Sequence, residues 1–426
     1  MRSPPSPSRS RFWRVFLKAS RKKIGSKSSV ATPSGCTRSR DRVAGVTMIK
    51  PLILSSDSHI VEPPTLWTDR MDKKRWGDRI PHTVRQHHQS RGLTYDQWYV
   101  DGHAVGTIGG ASTAGMRFAN PSDIKLEGSF ADVLPGGYDP HAHVQDLDVD
   151  GIEADVIYSS VATNMYAVSD STYLRAVFSA YNDWLTDFCA YSPSRLKGIA
   201  HILTDDNMEA GLAELRRAAK LGLCGAMIPI YPRPPEFYDQ PLYEPLWAIA
   251  QDLDMPLSLH IGTRRPGSHT LGAQGKIIQG PADRSNTDYW VRMSLGHIIF
   301  SGVLERYPDL RLVNVEQDLS WIPYFMDRMD TTYRDRPFQA TYRFKNAMLP
   351  SDFMRRNVYH SFQEDALGVQ LRHIIGVDKL VWGSDYPHTE STFPKSQEIL
   401  QRILKGVPEE EKEMILSKNT AKLYKL

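Results

Sequence analysis

Asp57, His59, His260 and Asp385 are side chains of the types that bind a divalent metal ion, and each stands at the end of a short apolar run. The first run ends in Asp57-Ser58-His59. Side chains alternate along an extended segment, so Asp57 and His59 address one side. Another run ends in Leu257-Ser258-Leu259-His260, and the last in Trp382-Gly383-Ser384-Asp385. Two imidazoles and two carboxylates make a mixed nitrogen and oxygen donor set that suits one zinc, manganese or iron(II) ion. Taken singly, each residue has an ordinary role. Asp57 could accept backbone N–H bonds in a turn, His260 could be a hydrogen-bonded core residue, and Asp385 could cap the turn before Tyr386-Pro387. Their joint placement argues for a centre.

Eight strand-like runs carry these residues: Leu52–Ser56, Ala154–Ser159, Gly198–Leu203, Gly225–Ile230, Leu257–Ile261, Leu310–Val315, Val358–Phe362 and Leu380–Gly383. Most are continuously apolar, as parallel strands covered on both faces are. Amphipathic stretches lie between them, among them Thr172–Ala190, Asn207–Leu221 and Tyr289–Arg306, and Glu409–Leu426 closes the chain. This alternation predicts a (β/α)8 TIM barrel, whose reactive groups sit at the C-terminal ends of the strands. A doubly wound open sheet would place a Gly-rich phosphate loop after its first strand; Asp-Ser-His-Ile-Val-Glu-Pro-Pro stands there instead. Residues 68–145 break the rhythm. Within them Tyr95–Val100 followed by Asp101-Gly102 predicts a hairpin, and the segment is expected to form a lid or pocket wall over the mouth.

The chain divides unevenly in charge. Residues 1–47 hold 12 of the 52 Lys/Arg and one of the 49 Asp/Glu, Asp41, so residues 48–426 carry a net charge of −8 although the whole carries +3. That predicts a disordered basic tail ahead of a barrel domain that starts at Met48. The tail superficially resembles a transit peptide; the plainer reading is that it is dispensable and Met48 the true start. An acidic body argues against nucleic acid as a partner, and no apolar stretch reaches the roughly 20 residues of a membrane helix. Cys36, Cys189 and Cys224 form no ligand spacing; Cys189 and Cys224 read as small core residues and fit a reducing, cytoplasmic setting.

The segments Asp57-Ser-His-Ile-Val-Glu-Pro-Pro64, Pro256-Leu-Ser-Leu-His-Ile-Gly262 and Trp382-Gly-Ser-Asp-Tyr-Pro-His388 resemble the amidohydrolase-related family. This is the branch of the amidohydrolase superfamily that includes aminocarboxymuconate-semialdehyde decarboxylase and the resorcylate decarboxylases. Asp146-Leu-Asp-Val-Asp-Gly151, Phe300-Ser-Gly-Val-Leu-Glu-Arg-Tyr-Pro308 and Trp321-Ile-Pro323 extend the resemblance over about residues 50–426. It implies that Asp57 and His59 are the first-strand ligands, although many relatives have His or Glu at Asp57. It implies that His260 is the fifth-strand ligand, and that Asp385 binds the metal and shuttles protons. The decarboxylases have a histidine at the end of the sixth strand, where this chain has Glu316, a candidate general base or further ligand, or else a salt-bridged strand-end acid. No lysine ends the fourth strand (Met227-Ile-Pro-Ile230), so a single ion is expected. A homo-oligomer, a dimer, follows from family likeness alone.

A bound metal would lower the pKa of water from roughly 15.7 to about 7, with Asp385 and Glu316 as the catalytic acids and bases. Arg264 and Arg265, just past His260, could grip a substrate carboxylate or be solvated loop charges. His360 is a candidate pocket residue, with Gln363 and Glu364 beyond it. His388 is a candidate neighbour of the ligands, while His141 and His143 read as surface or lid residues. The expectation is hydrolysis of a small carboxylated, aromatic or cyclic compound. The alternative is non-oxidative decarboxylation, and an iron-dependent oxygenase or a silent binding protein stands further back.

Overall fold

In the computed structural model the residues described are 42–43, 46–47, 52–89, 92–108, 113–124, 128–267, 280–345 and 347–426. The chain forms two units, Met1–Pro51 and Leu52–Leu426. In the first, Arg42–Val43 pairs antiparallel with Val46–Thr47. The expectation of disorder over residues 1–47 falls otherwise outside the described residues.

Eight apolar runs in the second unit become eight parallel strands. They are β1 (Leu54–Ile60), β5 (Ala154–Ser159), β6 (Leu196–His201), β7 (Gly225–Ile228), β8 (Leu257–His260), β9 (Leu312–Val315), β10 (Val358–Phe362) and β11 (Leu380–Trp382); β2 to β4 belong to the insertion. Each pairs with the next in chain order. Closure comes just beyond β11, where Asp385 N donates to Asp57 O at 2.9 Å and His59 N donates to Tyr386 O at 2.6 Å. The predicted (β/α)8 barrel is observed. The closure also stitches two of the site-bearing segments together through their backbones. Gly383 permits it, since a Cβ there would stand 2.6 Å from Asp57 Cβ.

β1 runs four residues further than its apolar pattern indicates, and its pairing register with β5 shifts between Ser55 and Ser58. A bulge of this kind re-aims side chains, here at Asp57. At the opposite end the barrel is plugged by the C-terminal residues. Tyr424 Oη lies 3.2 Å from Tyr158 Oη, which contacts Ser258 Oγ at 2.8 Å, and Arg311 donates to Leu423 O. Helices such as Ser171–Cys189 and Met208–Lys220 cover the strands. Cys189 and Cys224 lie in this packing as free thiols, and burial pushes Cys224 up to about 12.

Within residues 68–145, β2 (His82–His88), β3 (Leu93–Val100) and β4 (His103–Thr107) make an antiparallel sheet. The hairpin expected at Asp101-Gly102 is present, both residues having positive φ, which suits the twist of a two-residue turn. Trp98 of β3 is fully buried, edge-on to Trp67. The pattern missed the helix Pro140–Asp150, whose signals are terminal, not periodic. Asp139 caps it, Pro140 opens it and Gly151 ends it in the left-handed region. Its His143 is completely buried and pairs with Asp155 at 2.9 Å, which corrects the surface assignment. His141 is exposed. Among the described residues no helix is long and apolar enough to cross a membrane.

Candidate metal centre and active site

Side chains from β1, β8 and the segment after β11 meet at one point. His59 Nε2 lies 3.6 Å from Asp57 Oδ1 and 3.2 Å from Asp385 Oδ1. His260 Nε2 lies 3.8 Å from Asp57 Oδ1. All four residues are buried, and five of their converging atoms (both oxygens of Asp57, Oδ2 of Asp385, Nε2 of both histidines) have no hydrogen-bond partner. Buried polar atoms are nearly always satisfied, and five orphans aimed at one point fit a cation. The donors themselves, two imidazole nitrogens and two carboxylates, suit a divalent metal.

The backbone presets the histidines for this role. His59 Nδ1 lies 2.8 Å from Ser159 O, and His260 Nδ1 lies 2.8 Å from Ile261 O. A carbonyl accepts only from an N–H, so each Nδ1 carries a proton and, in the neutral ring, leaves the lone pair on Nε2. Burial and the neighbouring His388 lower the pKa of His59 and keep it neutral. Burial also opposes charge on His260, but Asp57 and Glu316 outweigh it and hold that imidazole up at about 9. The carboxylates that draw a proton to His260 also draw a metal ion, and the two compete.

His388 completes the group. Its Nδ1 lies 2.8 Å from Asp385 Oδ1, its Nε2 lies 2.8 Å from Ser160 Oγ, and its ring stacks on His59 with centroids 3.9 Å apart. Burial disfavours charge on both partners. Even so, each holds the other ionised, with Asp385 well below and His388 above its ordinary value. Glu316, one residue past β9, has its Oε2 3.5 Å from His260 Nε2. Burial, then the charge of Asp385, pushes its carboxyl up to about 8. Glu316 and Asp385 both adopt positive φ, 60° and 56°, a conformation that costs a non-glycine residue and gathers at functional sites.

A cavity of about 430 Å³ opens above the cluster. Asp385, His388 and Glu316 form its floor; Val61 and Val161 add apolar surface; and Trp98, Val105 and Ile108 of the insertion complete a wall. Glu62, a residue the sequence pattern did not single out, ties the first two barrel loops together by accepting from Val161 N and Ala162 N.

Three expected substrate contacts are placed differently. Arg265 is fully buried; it donates to Asp205 at 2.7 Å, and to Val168 O at 2.6 Å and Tyr166 O, so its guanidinium is consumed by the scaffold. His360 precedes Ser361, whose Oγ meets Ser56 Oγ at 3.0 Å and which lines a smaller cavity. Alternation turns His360 to the opposite face, where it lies 3.5 Å from Asn314 Nδ2, and burial lowers it to about 3. Arg264 lies over the Trp290 ring at 5.3 Å and is absent from the cavity lining. Arg284, which no motif marked, does line the cavity.

A parallel barrel with a buried His/Asp cluster at its C-terminal mouth defines a divalent-metal enzyme of the amidohydrolase superfamily. The chain belongs to the amidohydrolase family, whose model matches residues 139–426. A gamma-resorcylate decarboxylase from Polaromonas sp. is 27% identical over 251 residues, 57% of this chain and 74% of that one. The enzyme of the same name from Rhodococcus jostii is 25% identical over 297 residues, 64% and 86% of the two chains. Among solved structures, an amidohydrolase from Mycobacterium avium subsp. paratuberculosis superimposes with a TM-score of 0.70 at 21% identity, covering 88% of this chain and all of that one. A dihydroxybenzoic acid decarboxylase from Polaromonas sp., solved with manganese and 2-nitroresorcinol, gives 0.55 at 19% identity over 88% and 98%.

Proposed function

We propose that this protein is a metal-dependent, non-oxidative decarboxylase of a small hydroxylated aromatic acid. The observation that carries the reading is the convergence of five unpartnered polar atoms of Asp57, His59, His260 and Asp385 beneath a cavity sized for one substituted ring. The direction comes from the curated relatives, which are decarboxylases. They favour the alternative over the hydrolysis first expected. Manganese, the ion in the related decarboxylase structure, is the natural candidate.

Asp57, His59, His260 and Asp385 would hold the ion, which when bound supplies positive charge to orient an anionic substrate. The apolar wall of Val61, Trp98, Val105 and Ile108 packs the ring and excludes water. Loss of CO₂ leaves an electron pair on the ring carbon, and a proton must replace it. The His388–Asp385 pair, 2.8 Å apart and lining the cavity, supplies that proton. Glu316 faces the same space as the second carboxyl group.

The test is incubation of the manganese-loaded protein with dihydroxybenzoates, measuring released CO₂ and, in D₂O, deuterium at the vacated ring carbon. Equimolar CO₂ and one deuterium are expected. Hydrolysis of an ester or amide panel without CO₂ from any aromatic acid would overturn the reading and favour hydrolysis, for which Glu316 in place of the decarboxylases' histidine is the one specific support.

A further inference from the structure

Arg284 borders both the large cavity and the smaller one, of about 100 Å³, that reaches Asp57. Glu316 and Glu390 border both as well, so these three side chains stand where the cavities meet. Among the described residues, Arg284 and His388 supply the only basic groups in the large cavity's lining, set against Glu316, Asp385 and Glu390. The His388 imidazole is engaged at both nitrogens, by Asp385 and Ser160. The guanidinium is bonded through Nη2 to Glu390, on the loop that follows Asp385, and both partners are about half exposed. Burial and the charge of Asp365 raise the nearby Asp318 carboxyl to about 6, a rise that the Arg284 charge opposes.

An exposed ion pair contributes little net stability, since water screens it and two long side chains lose freedom to form it. Exchanging Glu390 for another carboxylate therefore costs little. A guanidinium also has five donors in a planar fork, so a second carboxylate can be held beside the first. The cavity thus has cation-attracting donors at its floor, an apolar wall, and one exchangeable cation at the cavity junction. An aromatic acid whose leaving carboxylate faces the metal donors leaves that cation free for a further anion on the same ring.

We propose that Arg284 is a specificity-determining residue that binds a second anionic substituent of the substrate, with Glu390 as its resting counter-ion. The substrate class is then an aromatic acid carrying another acidic group, such as a ring dicarboxylate. This rests on the proposed reaction, but its test does not need turnover.

Binding of isophthalate and of its monoamide, 3-carbamoylbenzoate, to the manganese-loaded protein is measured by titration calorimetry, with metal content recorded for each variant. The protein should bind isophthalate at least tenfold more tightly, about 1.4 kcal/mol. Arg284→Gln should erase that preference while leaving affinity for the monoamide and the metal content unchanged. Glu390→Gln should enlarge it by freeing the guanidinium, a change that a purely structural ion pair would not produce. Equal affinities in the unaltered protein, no measurable isophthalate binding, or a preference that survives Arg284→Gln would each overturn the assignment. Both ligands lack the ring hydroxyl of a dihydroxybenzoate, so failure of the decarboxylation assay leaves this measurement readable on its own.

Discussion

The imidazole of His388 stands 2.8 Å from Asp385 Oδ1 and stacks on the ring of His59, so the proposed proton donor is packed against a proposed metal ligand. Removing the charge of Asp385 should therefore disturb both tasks. Asp385→Asn keeps the size of the side chain, and the fold should persist with an unchanged circular dichroism spectrum. Turnover of the aromatic acid should fall by at least ~10³-fold, in the range of a lost acid–base group. A fully active Asp385→Asn enzyme would remove this residue from the chemistry.

His260→Ala deletes one of the two imidazoles proposed to hold the ion. Metal content by elemental analysis should drop from one ion per chain to well below it. The unaltered protein should also lose thermal stability on chelation, by about 2.7 kcal/mol for an ion present at a hundred times its dissociation constant. Metal content that is unchanged in the variant would contradict the ligand set.

Gly383→Ala probes the closure. The new Cβ would meet Asp57 Cβ at 2.6 Å and Asp57 N at 3.1 Å. Backbone or side chain must shift, at a typical overpacking cost of about 1–3 kcal/mol. Because the atom that moves belongs to a proposed metal donor, the variant should lose metal affinity as well as stability. Denaturant unfolding with and without manganese separates the two effects.

Arg265→Gln should act on stability and not on substrate binding. It leaves buried Asp205 with the longer contact to Arg233 Nε at 3.9 Å in place of the 2.7 Å pair, and breaking a buried pair costs about 3–5 kcal/mol. The midpoint of urea unfolding should fall, while KM of the folded fraction stays within about twofold. A large rise in KM would restore this arginine to the pocket.

Asp150 provides a pH test away from the metal. Burial raises its carboxyl from 3.8 to about 7 while it accepts from Ser396 N and Oγ, with Asp155 and Asp146 adding to the rise. The folded protein thus holds a proton that the unfolded chain releases. That stabilisation is complete below the unfolded value and is lost as pH climbs through the folded one. Between about pH 4 and 7 the Tm of the unaltered protein should decline more steeply than that of Asp150→Asn. Parallel profiles would show that Asp150 is ionised in the fold.

The eight strands, the hairpin at Asp101-Gly102 and the four candidate metal donors were legible in the chain, because they rest on local features. An apolar run of strand length, a two-residue alternation and a turn dipeptide are written within a few positions of one another. The donors could be named because a parallel barrel brings the ends of all its strands to one mouth, whatever the loops do. Helix Pro140–Asp150 escaped notice since its face lacks a clear apolar rhythm and its signals lie only at its ends.

Only the tertiary structure decided which way the remaining charged side chains face. Arg265 turns inward to Asp205, 60 residues away in the chain, and His360 turns outward where its neighbour Ser361 turns in. Arg284 reaches the cavity from a segment without any motif. A one-residue change of phase reverses the face of a strand residue, and a long side chain goes wherever its partner lies. Burial and partnership of this kind depend on contacts between distant segments, and no local pattern records them.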